Sequence, residues 1–279
     1  MTATPPAETD RSSAFVRLLR TLHHPQPAVT LDGRSLSLAA VRAVAREGTP
    51  AHLTADPAVR QRMDECFAWM MADMGGGVPV YGCNSGYEAQ ASVVLNAGEE
   101  PDRFAMAGRV SRAIALVDVG VGPPLPRDVV RAGILIRANM LLHGVSAVRY
   151  EDVELLTRLL NRGLTPVVAQ YGGLGASGDL SHNARVLSCL RRLPGARVTT
   201  PDGIAQAAAV AFAEAGIPTF DPPPKAGLGF TNGDNFSTGV ATLLLTDVAD
   251  ALLASLALAA SGTRRESRSR SGSPRRSRY

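Results

Sequence analysis

Gly172-Gly173-Leu174-Gly175-Ala176-Ser177-Gly178-Asp179-Leu180 is the run on which the reading of this chain turns. In one reading the backbone nitrogen of Gly178 attacks the carbonyl carbon of Ala176 and two waters leave, one carrying the Ser177 hydroxyl. The product is a 4-methylideneimidazol-5-one (MIO) ring, an electrophile that no ordinary side chain supplies. The residue types suit that closure: glycine lets the backbone fold tightly, serine carries the leaving hydroxyl, and alanine adds no bulk. In the other reading the run is a Gly-rich turn before a helix, with Ser177 or Asp179 as N-cap. A short motif alone leaves both standing.

Outward from this run the chain reads as strongly helical. Apolar residues recur at helical spacing over 102–119, 127–143, 152–161, 180–193 and 204–216. Gly122-Pro123-Pro124-Leu125-Pro126 and a turn at 198–203 separate some of these stretches. Nearer the amino end, Val29-Thr30-Leu31 reads as a short strand, 37–47 as a helix closed by Gly48, and 57–74 as a helix opened by Pro57. Gly75-Gly76-Gly77 breaks that helix and reads as a hinge before Val78-Pro79-Val80-Tyr81-Gly82. Strands are few and short, so the predicted fold class is mainly α, with small β elements near the amino end.

A chain of 279 residues with 45% hydrophobic content can bury a sizeable core. The formal charge of +4 is misleading, because 262–279 holds seven Arg against one Glu, a net of +6, which leaves the remainder at −2. The body is mildly acidic, and only the tail argues for polyanions. Cys66, Cys83 and Cys189 are too few and scattered for a disulfide framework or a cysteine-based zinc site. Residues 1–10 lack a basic region followed by an apolar core, and a cytoplasmic location is the expectation. The apolar run 238–260 is long enough for a bilayer, but Asp247 and Asp250 interrupt it. A buried bundle helix, with no membrane, is expected there.

Two further segments complete a pattern. Tyr81-Gly82-Cys83-Asn84-Ser85-Gly86-Tyr87 precedes the Ala176-Ser177-Gly178 run, and Lys225-Ala226-Gly227-Leu228-Gly229-Phe230-Thr231-Asn232-Gly233 follows it. In this order the three segments resemble the aromatic amino acid ammonia-lyase and aminomutase family, the histidine and phenylalanine ammonia-lyases, from about 29 to 260. The first is similar to the family's Tyr-Gly-x-Asn-Thr-Gly-Phe loop, and the third to its Lys-Glu-Gly-Leu-Ala-Leu-x-Asn-Gly segment. Gly120-Val121-Gly122-Pro123-Pro124-Leu125 and Gly144-Val145-Ser146-Ala147-Val148-Arg149 echo it further.

The resemblance implies the amino-terminal part of the histidine and phenylalanine ammonia-lyase fold. It implies an MIO-bearing domain at 29–220 and the start of a central helical bundle at 221–261, while composition alone reads 1–28, Pro- and Ala-rich, as a loose arm and 262–279 as a disordered Arg/Ser tail. It also implies a catalytic set of Tyr81, Ala176, Ser177, Gly178 and Asn232, with Asn84, Gly86, Leu116 and Val117 at the substrate. MIO is the cofactor, formed autocatalytically from Ala176-Ser177-Gly178, with no metal and no nucleotide. The resemblance further implies a small-molecule amino acid substrate and, where the full-length fold is present, a homotetramer.

Tyr81 would be the base that takes a β-proton. A phenol ordinarily titrates near pH 10, so that role needs cationic or hydrogen-bonding neighbours. On its own Tyr81 also reads as a half-buried tyrosine packing a turn, Asn232 as the turn former of Asn-Gly, and Asn84 as either a loop former or a ligand contact. Leu116 and Val117 are both apolar where the family often carries a histidine for imidazole or phenol rings, which leans towards phenylalanine-like substrates.

The departures are specific. The family's Ala-Pro-Leu after Asp-Leu is here Ser181-His182-Asn183, with His182 read as a helix-surface histidine in preference to an acid or base that reaches the site, and its Phe-Gly after Asn-Thr-Gly is Tyr87-Glu88. Family members are roughly twice as long, and their later half supplies the bundle, a carboxylate-binding arginine and further tyrosine and glutamate groups. The Arg/Ser-rich stretch after Ala260 cannot build a core. It reads as a truncation or frame change in place of the family's continuation, or as a nucleic-acid-binding tail. The functions in view are therefore an ammonia-lyase, a 2,3-aminomutase on the same substrates, and an inactive remnant or partner of a full-length relative.

Overall fold

The computed structural model describes residues 17, 20–95, 98–173 and 178–271. Ala176 and Ser177 therefore lie outside the described residues, while Gly178 lies within them. The fold is mainly helical, with 55% of it in helices. It divides into two compact units, Pro25–Leu243 and Met1–His24 with Leu244–Tyr279.

In the first unit, β1 (Val29–Leu31) pairs in parallel with β2 (Ala51–Leu53). Between them α1 (Leu38–Arg42) runs into a π-turn at Ala43–Glu47. Ser37 opens α1 by accepting from the Ala40 N–H at 3.2 Å. Asp56 opens α2 (Pro57–Gly75) by accepting from Ala58 at 3.0 Å, with Pro57 in the first turn where its missing donor costs nothing. Helix α3 (Glu100–Ala113) ends in a 3₁₀ turn at Ile114–Val117. Next come β3 (Val121–Pro124), α4 (Arg127–Leu141), α5 (Tyr150–Asn161), β4 (Thr165–Pro166), β5 (Ala169–Tyr171) and α6 (Leu180–Leu190). The remainder is β6 (Arg197–Thr199), β7 (Ala205–Ala207), α7 (Ala208–Glu214), α8 (Ala226–Thr231) and α9 (Asn235–Ser271), which passes into the second unit at Leu244.

The strands form β1–β2, an antiparallel β3–β5 pair and an antiparallel β4–β6–β7 sheet. Small β elements thus lie in mid-chain as well as near the amino end. The helix read over 204–216 starts later, at Ala208, because residues 205–207 pair with β6 across a turn in which Gly203 N–H bonds Thr200. Backbone pairing there outweighs an alanine-rich helical pattern.

Helix α4 is the centre of the unit. Val130, Ala132, Ile134, Leu135, Ala138 and Leu141 are buried, and so are Arg131, Arg137 and Asn139. Arg131 carries its charge inward and uses it on carbonyls, donating to Val44 O at 2.7 Å, Leu160 O at 3.1 Å and Ala45 O at 3.2 Å. Those oxygens lie in the π-turn and near the carboxyl end of α5, where unmatched acceptors need donors. Burial lowers this guanidinium to about 10, so it remains charged at neutral pH. Asn139 reaches the other end of the unit, accepting from Gly33 N–H at 3.0 Å.

In the second unit, residues 20–22 are helical, Leu22 is buried, and His23 Nε2 lies 2.9 Å from Asp250 Oδ1. The arm read as loose therefore has an anchored end. By length and composition the stretch Ala226–Ala259 could cross a membrane, a test that core helices also pass. The part of α9 expected to be buried is largely exposed: Leu244, Leu245, Val248, Leu252, Leu256 and Leu258 all face outward. Apolar composition marks a face that another surface can cover, and none of the described residues covers it. Helix α9 also continues to Ser271, into the stretch read as an Arg/Ser tail.

Replacing Arg131 by Met strips donors from three buried carbonyls, each worth about 1–3 kcal/mol when left unpaired. Arg131→Met is expected to lower unfolding stability by about 3 kcal/mol, read from the urea midpoint at unchanged slope; a loss within the error of the midpoint would show that the guanidinium is not a fastener.

Candidate active site

The loop after α2 is built to present Tyr81. Asn84 is fully buried and uses both ends of its amide on its own loop, accepting from Val80 N–H at 2.6 Å and donating to Val78 O at 3.0 Å. Cys83 plugs the loop from beneath, its sulfur 3.1 Å from that of Met74 and 3.8 Å from that of Met70. Gly82 has φ +65°, and a Cβ there would strike Leu228 and Tyr87. Tyr81 is thereby turned outward, 39% exposed, edge-on to Tyr87 with ring centres 6.1 Å apart. The glycine run read as a hinge is pinned, since Arg103 donates to Gly75 O at 2.5 Å and to Gly98 O at 2.6 Å.

The segment from Lys225 to Asn232 faces this loop. Lys225 sits in the left-handed region (φ 69°), unusual for a side-chain-bearing residue. Its ammonium donates to Tyr81 O at 2.5 Å and lies 5.5 Å from the Tyr81 ring centre. Ser111 holds the start of α8, accepting from Gly227 N–H at 2.7 Å and donating to Pro223 O at 2.6 Å. At the other end Arg137 donates to Gly229 O. Tyr81, Lys225, Leu228, Asn232 and Arg137 line one cleft of about 190 Å³ with Val145, Ser146 and Gly229.

Gly178 meets this segment from the third side. Its φ is +76°, and a Cβ would lie 2.9 Å from Gly233 O, so the position requires glycine on both conformational and steric grounds. The next residue, Asp179, does not cap its own helix α6. Its carboxylate instead accepts from Phe236 N–H at 2.8 Å, Ser237 N–H at 3.0 Å and Ser237 Oγ at 2.9 Å, closing the amino end of α9. Its N–H donates to Gly233 O at 2.7 Å. Asn183 and Asn235 exchange two amide hydrogen bonds at 2.9 and 3.0 Å, and Asn183 also donates to Thr231 O at 3.0 Å.

The structure therefore brings Tyr81 and Asn232 into one cleft and sets Gly178 against the residue after Asn232. It does not bring the other expected residues there. Asn84 shapes the loop, Gly86 donates to Val93 O at 3.1 Å, and Leu116 and Val117 stand exposed in the 3₁₀ turn, outside the cleft lining. His182 is not on the helix surface. It is buried, both ring nitrogens lack a hydrogen-bond partner among the described residues, its ring lies 5.2 Å from Phe236, and Nδ1 is 4.0 Å from Asp179 Oδ1.

Sequence reasoning did not assign roles to Lys225 and Arg137. The signals were available: Lys225 opens the third motif, and Arg137 interrupts an otherwise apolar helical pattern. Among the described residues, no group of three or more His, Cys, Asp or Glu converges as a metal site would.

Burial sets the local protonation. It raises the Cys83 thiol to about 11 and the Tyr87 phenol to about 12, and it lowers Lys225 and, to about 10, Arg137.

The family model described as aromatic amino acid lyase matches residues 36–267. A phenylalanine ammonia-lyase of Aspergillus lentulus is 30% identical over 93% of this chain and 38% of its own length. A probable histidine ammonia-lyase of Halobacterium salinarum is 36% identical over 78% of this chain and 40% of its own. Among solved structures, phenylalanine ammonia-lyase from Rhodosporidium toruloides superposes with a TM-score of 0.70 at 26% identity, covering 85% of this chain and 35% of that one. Tyrosine aminomutase from Streptomyces globisporus gives 0.68 at 28%, covering 78% and 39%. The chain thus spans about 40% of the length of these curated relatives.

Two expectations follow from the site's packing. Asn183→Leu, which installs the residue type the family carries there, leaves Asn235 Oδ1 and Thr231 O short of a donor; we expect a loss of about 1–3 kcal/mol in chemical unfolding. The folded Cys83 thiol keeps its proton up to about 11 while an ordinary thiol releases it near 9, so its contribution to stability is complete below pH 9 and is lost as pH rises towards 11. The urea midpoint should fall over that window in the native chain and fall less in Cys83→Ala.

Proposed function

Since the chain belongs to the aromatic amino acid lyase family over residues 36–267, we propose that it is an ammonia-lyase. Its reaction would eliminate ammonia from a phenylalanine-like or related L-α-amino acid to give the α,β-unsaturated acid. The observation that carries this reading is the shared cleft: Tyr81 and Asn232, from distant segments, line one pocket, and Gly178 packs on Gly233 beside it.

The residues fit an MIO ring at Ala176-Ser177-Gly178. Gly178 holds a left-handed backbone conformation against Gly233 that a Cβ would forbid, as the glycine of such a tripeptide requires room to fold tightly. Bound in place, that ring supplies an electrophile for the substrate amine, which turns a poor leaving group into a better one. The protein's own residues do the rest. Tyr81 would accept the β-proton as a phenolate and become the phenol, with the Lys225 ammonium over its ring and the Lys225 hydrogen bond fixing its backbone. Asn232 offers a donor and an acceptor to orient the amine. Asn84 holds the Tyr81 loop. Leu116 and Val117 lie outside this cleft lining, so the phenylalanine-like preference rests on the resemblance and not on a contact in the cleft. By the same resemblance the assembly proposed is a homotetramer where the full-length fold is present; a cytoplasmic location is proposed separately.

A 2,3-aminomutase is the second reading, favoured by the likeness to tyrosine aminomutase. The two share every residue named above and differ in whether the amine returns to the β-carbon before product leaves.

Intact-protein and peptide mass should show the loss of two waters around Ala176–Gly178, with a matching near-ultraviolet band, and Ser177→Ala should show neither. Tyr81→Phe should keep the mass loss and lower turnover of phenylalanine by about 10²–10⁴-fold. An unmodified tripeptide in folded protein rejects lyase and aminomutase alike; arylacrylate against β-amino acid in the products separates them.

A further inference from the structure

Two cations face one small cleft without an acidic partner. Lys225 and Arg137 both line the 190 Å³ space that holds Tyr81 and Asn232, and none of its lining residues is acidic. Neither side chain forms an ion pair among the described residues, and the Arg137 Nε is buried without a hydrogen-bond partner. Asp234 acts on Arg137 electrostatically but does not pair with it. Arg137 is only 6% exposed. Uncompensated buried charge is costly, and a cleft lined by a buried guanidinium and a half-buried ammonium, with no acid in its lining, is complementary to an anion.

We propose that Lys225 and Arg137 form an anion subsite of this cleft that receives the carboxylate of the substrate and of the product acid. This deepens the lyase reading and rests on it for the identity of the ligand. It adds to, and is separate from, the arginine that the resemblance places in the family's later half. A guanidinium presents a planar donor edge, and the Lys225 ammonium keeps two donors beyond the one directed at Tyr81 O. A carboxylate held here would lie beside both Tyr81 and Asn232, so the subsite would set which end of the molecule faces the base.

The test uses the full chain and three product-type acids, cinnamate, 4-coumarate and urocanate, each against its neutral amide, by titration calorimetry. At least one acid is expected to bind about tenfold or more tightly than its amide, the size of a charge-assisted contact. Lys225→Met should abolish that preference and Lys225→Arg restore it. Where Lys225→Met loses its far-ultraviolet helix signal, a footprint on the unaltered chain takes its place: the preferred acid, and not its amide, should protect the Lys225 amine from acetylation.

Ser177→Ala cannot form the ring and should keep the preference, which separates the two readings. A chain without the mass loss that still prefers the acid defeats the lyase reading alone, whereas a ring-bearing chain that binds acid and amide alike defeats this one. Absence of acid binding, an acid preference that survives in folded Lys225→Met, or an unprotected Lys225 amine would each overturn the subsite.

Discussion

The buried carboxylate of Asp179 is the fastening on which the site depends. It stands one residue after Gly178, yet its three acceptor contacts all go to the amino end of α9. A carboxylate at that end satisfies orphan N–H groups and meets the positive pole of the helix. Through it and the Asp179 N–H to Gly233 O, Gly178 and the start of α6 are bound to the corner that carries Asn232. The Asn183–Asn235 amide pair repeats the same bridge one turn deeper.

The opposite wall follows a different logic. The Tyr81 loop has little regular structure, and its shape comes from the buried Asn84 amide, the Cys83 plug and the Lys225 contact. Each ties a short segment to something rigid: α2, or the start of α8. Lys225 adopts a left-handed backbone conformation where its ammonium meets the Tyr81 carbonyl, a local strain of the kind that surrounding contacts sustain at functional sites.

Much of this was legible in the chain itself. The glycine and proline punctuation placed α2, α4 and α5 within a few residues, because those boundaries are local chemistry. Tyr81, Gly178 and Asn232 were legible as members of motifs. What could not be read was the partner of each polar group. Asp179 looks like the cap of its own helix, and only tertiary structure hands it to α9. His182 looks like a surface residue on a helix, and becomes buried because Phe236 arrives from another segment. Likewise residues 205–207 carry a helical pattern but are claimed by β6, and α9 carries a core-like composition but is left largely uncovered.

The contact between Gly178 and Gly233 also bears on timing. The seat for Gly178 does not exist when that residue is synthesised, since the backbone it rests on lies more than fifty residues further along. Local folding cannot supply it. The conformation of Gly178 is set by a long-range contact, which forms with the closing of the α8–α9 corner on α6 and not with the growth of any one helix. Chemistry that needs that conformation is accordingly a late event, gated by completion of the fold, and its rate would report on when that corner closes.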